Sequence, residues 1–142
     1  MKRKDFVKNT SLVAAATALA PAYIFSQTKK KSKQEPVITD DKVKAAIIGV
    51  GLRGQNHLSL LLGRNDVEVI AICDIDDRML TSSKEMITKS GKKMPQIFTG
   101  DIYAWKKMLE LKNIDTVIIA TPWEWHKEMI IGSLDAGIKY VG

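Results

Sequence analysis

One stretch constrains the chain more than any other: "VKAAIIGVGLRGQNH", residues 43–57. A short apolar run breaks into three glycines, Gly49, Gly51 and Gly54, and then into a helical pattern. A glycine cluster that joins a buried strand directly to a helix fits a sheet covered by helices. The rest of the chain repeats the alternation. "VEVIAICD", "QIFTG", "IDTVIIA" and "IKYVG" read as further strands. Between them "QNHLSLLLG", "DRMLTSSKEMITKSG", "DIYAWKKMLELK" and "HKEMIIGSLDAG" read as helices, most of them stopped by a glycine. The third of these helices is expected to be capped by Asp101, with Ile102, Trp105 and Leu109 on one face. Near-continuous apolar strands alternating with helices predict parallel strands buried on both faces. The fold class is therefore α/β, a Rossmann-type doubly wound parallel sheet with right-handed crossovers. Ligands of such sheets bind at the carboxyl ends of the strands, here after Val50, Cys73 and Ala120.

Each of these ends carries its own chemistry. At the first, Gly49 permits a tight turn, Gly51 lets backbone approach a pyrophosphate, and Gly54 lets helix and strand pack closely. The helix N-terminus then offers free N–H groups and the positive end of its dipole to phosphates. At the second, Asp74 follows Gly54 by 20 residues, the spacing of a carboxylate that hydrogen-bonds an adenosine ribose. A free 2′-hydroxyl can donate to it and a 2′-phosphate would be repelled, which favours NAD over NADP. Asp76 is the alternative acid here, as the cap of the next helix. A glycine loop with an acidic strand end also occurs in S-adenosylmethionine enzymes, but the full G-x-G-x-x-G argues for the dinucleotide. At the third, Thr121 and Pro122 stop the strand, and "WEWH" follows, spending two of the three tryptophans of the chain. Trp123 and Trp125 can supply flat walls for a cofactor, and His126 a ring nitrogen for a ribose, the nicotinamide or a sugar. The competing expectation is that one tryptophan packs on the sheet edge and His126 begins the next helix.

Composition matters mainly for what precedes this domain. Residues 1–26 pair a basic start with an apolar stretch too short and too broken for a membrane span of about 20 residues. They read as a secretory signal, and Arg3-Lys4-Asp5-Phe6-Val7-Lys8 resembles a twin-arginine export signal with one arginine replaced by lysine. Residues 27–41, polar and broken by Pro36, read as a linker, leaving 42–142 as the folded domain. Export to the periplasm follows, with no stable membrane span once the signal is cleaved. The net charge of +6 does not imply a nucleic-acid partner. Residues 1–40 hold eight Lys/Arg against three Asp/Glu, whereas residues 41–142 hold fourteen against thirteen. Cys73 is the only cysteine, so no internal disulfide and no cysteine metal cluster are expected.

Together the glycine loop, "AICD" and "TPWEWH" resemble the nucleotide-binding half of the Gfo/Idh/MocA oxidoreductases. The usual signature after the fourth strand of that family is T-P-N-x-x-H; here it is Thr121-Pro122-Trp123-Glu124-Trp125-His126. Tryptophan in place of asparagine resembles one branch, glycosyl hydrolase family 109, the NAD-dependent α-N-acetylgalactosaminidases. The resemblance implies that Leu52 and Arg53 contact phosphate and that Asp74 binds ribose. It also implies that Trp123, Glu124, Trp125 and His126 surround the cofactor. A guanidinium at Arg53 matches phosphate geometry in its own right. The implied chemistry is a transient oxidation of a sugar at C3 by bound NAD, followed by elimination of the aglycone, with an N-acetylgalactosaminide or another sugar as substrate. The family's sugar-binding domain and its acid–base residues are expected beyond "IKYVG", so no catalytic residue is named here and the chain is read as truncated. A sheet ending at the fifth strand would also leave an apolar face uncovered, which favours aggregation or pairing into oligomers. Three functions compete: the cofactor half of an exported glycosidase, a sugar dehydrogenase of the wider family, and an inactive nucleotide-binding fragment.

Overall fold

The computed structural model describes residues 41–142; the expected leader and nearly all of the linker lie outside the described residues. Five parallel strands form one sheet in the order β3-β2-β1-β4-β5. In chain order the elements are β1 (Val43–Ile48), α1 (Leu52–Leu62), β2 (Val67–Cys73), α2 (Asp77–Ser90) and β3 (Gln96–Phe98). There follow α3 (Ala104–Met108), β4 (Thr116–Ile119), a 3-10 turn (Trp123–Trp125), α4 (His126–Asp135) and β5 (Tyr140–Val141). The strand order reverses between β1 and β4, which lie side by side at the centre, and that is where a doubly wound sheet opens a crevice.

The apolar runs bury both faces, as the sequence predicts. Successive side chains of a strand point to opposite sides. Ile47, Ile72 and Val69 pack with Leu58 and Leu62 of α1 and with Leu80 and Ile87 of α2. Ala46, Ile48, Ala71 and Cys73 pack on the other side with Trp105 and Met108 of α3 and Met129 of α4. Ala45 and Ala46, fully buried, keep the central strand thin enough for helices on both faces. Among the described residues no helix is long and apolar enough to cross a membrane.

Two helix boundaries differ from expectation, and both differences bear on the site. Helix α1 begins at Leu52, three residues before the expected "QNH", so Leu52, Arg53 and Gly54 form its first turn. Helix α3 begins at Ala104 rather than after Asp101 and runs for only 5 residues. The Asp101 carboxylate accepts the Tyr103 N–H at 2.6 Å, a local turn that competes with a helix start. Ile102 therefore stays in the connecting loop, exposed, while Trp105 and Leu109 are buried. Helix α2 follows the pattern closely. Asp76 caps it through the Arg78 N–H at 2.9 Å, and Gly91 ends it in the left-handed region at φ 68°.

Candidate functional site

The three glycines after β1 do three different things. Gly49 turns the chain at φ 87°, and a Cβ there would lie 2.9 Å from the Ala120 carbonyl carbon and from the Thr121 nitrogen. Its N–H also donates to the Cys73 carbonyl at 2.8 Å, so the ends of β1, β2 and β4 meet at this residue. A Cβ on Gly54 would run into the Gly49 carbonyl oxygen, so helix α1 rides directly on the turn. Gly51 is unlike both. A Cβ there would meet nothing within 4 Å among the described residues. The packing of the protein does not require glycine at this position, and the space it leaves opens at the N-terminus of α1. Among the described residues no side chain caps that helix, and its first turn carries no acidic residue. Its first internal bond is Gln55 N–H to the Gly51 carbonyl at 2.8 Å, so the preceding amides remain available to an anion. These features fit a pyrophosphate.

At the end of β2 the half-buried Asp74 carboxylate is held from two sides. One oxygen accepts the Val50 N–H at 2.7 Å and the other the Asp76 N–H at 2.9 Å. Each oxygen keeps a lone pair for a further donor. The two acids divide the roles that the sequence left open. Asp76 caps α2, where the Arg78 guanidinium holds its carboxyl down to about 2, and Asp74 ties the glycine loop to the end of β2. Beside Asp74, burial pushes the Cys73 thiol up to about 12, helped by the charges of Asp74 and Asp101. The folded state therefore favours the protonated thiol. Its stabilisation is complete below the ordinary thiol value of 9.0 and is lost as pH rises from there towards 12. We expect folding stability to fall across that window and Cys73→Ala to flatten the fall, as measured by urea unfolding at a series of pH values.

The end of β4 resolves the "WEWH" segment. Thr121 and Pro122 line the crevice, and Trp125 forms part of its wall. Trp123 is 87% exposed and does not line it, and Glu124 is also exposed. His126 begins α4, and its Nε2 lies 2.8 Å from the Thr121 carbonyl oxygen. A carbonyl only accepts, so Nε2 carries the proton, and in the neutral ring Nδ1 is the acceptor. Trp125 is braced by Tyr103, edge to face at 6.3 Å. The Lys106 ammonium stands 4.6 Å from the Tyr103 ring centre and 2.9 Å from the Glu128 carboxylate. A chain of contacts thus joins the loop after β3 to the start of α4.

These three strand ends surround one cavity of about 330 Å³. Of the residues expected from sequence, Gly49, Gly51, Asp74, Thr121, Pro122 and Trp125 line it. Leu52 and Arg53 lie exposed in the first turn of α1, outside its lining, as do Trp123 and Glu124 in the turn after Pro122; Gly54, packed under the glycine turn, and His126, at the start of α4, are outside it as well. Asp101, Ile102, Met79, Trp105 and Met129 also line it and were not anticipated. Asp101 was within reach of sequence reasoning, because the rule that directs attention to strand carboxyl ends applies to β3 as well.

The profile of an oxidoreductase family with an NAD-binding Rossmann fold, Gfo/Idh/MocA, matches residues 43–141. The chain belongs to the Gfo/Idh/MocA oxidoreductase family. It is 40% identical over 140 residues to a glycosyl hydrolase family 109 protein of Stenotrophomonas maltophilia (strain K279a), covering 97% of this chain and 28% of the relative. It is 31% identical over 148 residues to an α-N-acetylgalactosaminidase of Tannerella forsythia, covering 99% of this chain and 32% of that protein. The chain thus spans less than a third of the length of these relatives. Among solved structures it is similar to myo-inositol 2-dehydrogenase of Lactobacillus plantarum, at 30% identity and a TM-score of 0.57, over 70% of this chain and 27% of that one. A scyllo-inositol dehydrogenase of Lactobacillus casei with bound NAD(H) and scyllo-inositol shares the fold, at 22% identity and a TM-score of 0.58, over 70% and 27% of the two chains. NAD is the cofactor of the Gfo/Idh/MocA Rossmann fold, and the bare Gly51 at the head of α1 suits it. Trp123, the residue at which the sequence departs from the expected T-P-N-x-x-H pattern, is exposed.

Proposed function

We propose that this chain is the cofactor-binding unit of an exported glycosidase of the family 109 type, acting on N-acetylgalactosaminides or related sugars. The observation that carries the reading is the convergence of three strand ends on one cavity, with an unencumbered helix N-terminus at Gly51 and a fixed carboxylate at Asp74. Thr121-Pro122-Trp123-Glu124-Trp125-His126 after β4, and the relatives of that type, direct it to this branch. The amides at the head of α1 would hold the pyrophosphate, with Leu52 and Arg53 at its solvent side. Asp74 would accept from the adenosine ribose and so favour NAD over NADP. The Trp125 wall would face the nicotinamide half and the sugar, with Trp123, Glu124 and His126 at the rim. Bound NAD would supply a reversible hydride acceptor for a sugar C3 hydroxyl; a ketone there would acidify the C2 proton, so that the aglycone could leave C1 by elimination and water add in its place, with no net consumption of the cofactor. The export signal belongs to the same reading, since a twin-arginine route carries a folded protein with its cofactor in place.

Titration of NAD⁺ into the purified chain by calorimetry tests the cofactor assignment. Asp74→Asn places an amide donor against a backbone N–H and removes the charged acceptor. We expect NAD⁺ affinity to fall about 10- to 100-fold. Unchanged affinity would remove Asp74 from the ribose site. A sugar dehydrogenase is the second reading, favoured by the likeness to the inositol dehydrogenase at 30% identity. In the protein that carries the sugar domain, aryl α-N-acetylgalactosaminide cleavage without net NADH supports the glycosidase. Steady accumulation of NADH supports the dehydrogenase.

A further inference from the structure

The cavity continues beyond Asp74 to the loop after β3, where it changes character. Ile75 and Ile102, on the loops that follow β2 and β3, line it yet are 63% and 44% exposed. Two large aliphatic side chains left in water at the mouth of one cavity offer apolar surface to a flat ring. Asp101 stands beside them. One of its oxygens accepts the Tyr103 N–H at 2.6 Å, and the other has no partner among the described residues. The same cavity is lined by Trp105, 2% exposed, whose buried indole N–H finds no acceptor among the described residues. That is an unusual cost for a packed interior. The shared influence of Asp74 and Asp101 on the Cys73 thiol agrees with both carboxylates lying at this end.

We propose that Asp101 reads the base of the dinucleotide, its free carboxylate oxygen accepting a hydrogen bond from the adenine 6-amino group between Ile75 and Ile102. The inference rests on the cofactor reading above and goes one step further, to a residue that selects the base. Asp101 is exposed, so its free oxygen is hydrated in the unliganded chain and would exchange that water only for another donor. The pyrophosphate offers none, and the ribose hydroxyls fall to Asp74. The nicotinamide half belongs to the β4 side of the sheet, across β1 from β3. On the β3 side the remaining donor of the dinucleotide is the adenine amine. Hypoxanthine, which carries a carbonyl oxygen in place of that amine, would set oxygen against oxygen.

Calorimetric titration of the chain with NAD⁺ and with nicotinamide hypoxanthine dinucleotide tests this directly. The wild-type chain is expected to prefer NAD⁺ by about fivefold to tenfold. Asp101→Asn keeps an oxygen for the Tyr103 N–H and places an NH2 where the free oxygen stood. It should bring the preference to one or below, chiefly by strengthening the hypoxanthine form. Asp101→Ala should bring it to one by weakening NAD⁺. Thermal unfolding of each variant without ligand reports whether the turn survives, and the Asn variant carries the test if the Ala variant does not fold. Equal wild-type affinity for both dinucleotides, or a preference unchanged in Asp101→Asn, overturns the role of Asp101 and leaves the cofactor assignment standing. Failure to bind either one overturns both.

Discussion

Gly51→Val is expected to lower NAD⁺ affinity at least about a hundredfold while leaving the chain folded. The two halves of that result have separate causes. At φ −65° Gly51 is in a conformation open to any residue, and a Cβ would meet no atom of the described residues within 4 Å. The fold therefore tolerates the substitution, apart from a weaker helix cap worth up to about 1 kcal/mol. The valine would instead fill the space at the head of α1, where a pyrophosphate must come within hydrogen-bonding distance of backbone amides. Calorimetric titration gives the affinity, and circular dichroism melting gives the stability. Wild-type affinity in the variant would show that nothing approaches the backbone there.

Gly54→Ala, only three residues on, should do the reverse. Its methyl would overlap the Gly49 carbonyl, and Gly49 cannot retreat because it is already packed against Ala120 and Thr121. Alanine improves helix propensity by about 1 kcal/mol, but overpacking of an immovable backbone costs about 3 kcal/mol or more. The expected net loss is about 2 kcal/mol, a fall in melting temperature on the order of 10 °C. The pair separates a glycine that the ligand requires from one that the fold requires. An unfolded Gly51→Val beside a stable Gly54→Ala would reverse those roles.

The legible parts of this chain are those set by short-range pattern. Apolar runs such as "IDTVIIA" can be buried on both faces only as inner strands, and Ile47 and Ala46 fall on opposite faces as alternation requires. The glycine spacing located the turn, and Asp74 lies in the crevice where its spacing put it. What was not legible depends on how a loop disposes its side chains. Nothing in "WEWH" distinguishes its tryptophans, yet the 3-10 turn after Pro122 leaves Trp123 in solvent and sets Trp125 on the cavity wall against Tyr103. The loop after β3 was hidden for a related reason. Ile102, Trp105 and Leu109 have helical spacing, but the bond from Tyr103 N–H to Asp101 interrupts the helix and frees both Asp101 and Ile102 for the cavity. Leu52 and Arg53 are both exposed in the first turn of α1, which starts earlier than the helical pattern suggests.

Asp74 carries a consequence of another kind. Amides from two different loops clamp its oxygens before any ligand arrives, so the side chain has no rotamer left to choose on binding. In the proposed ribose role its contribution to affinity would be undiminished by ordering, but it also could not follow a guest that sits slightly askew. A rigid acceptor of this sort rewards one placement of a vicinal diol and is indifferent to the rest, which makes it a gauge of position as much as a source of attraction.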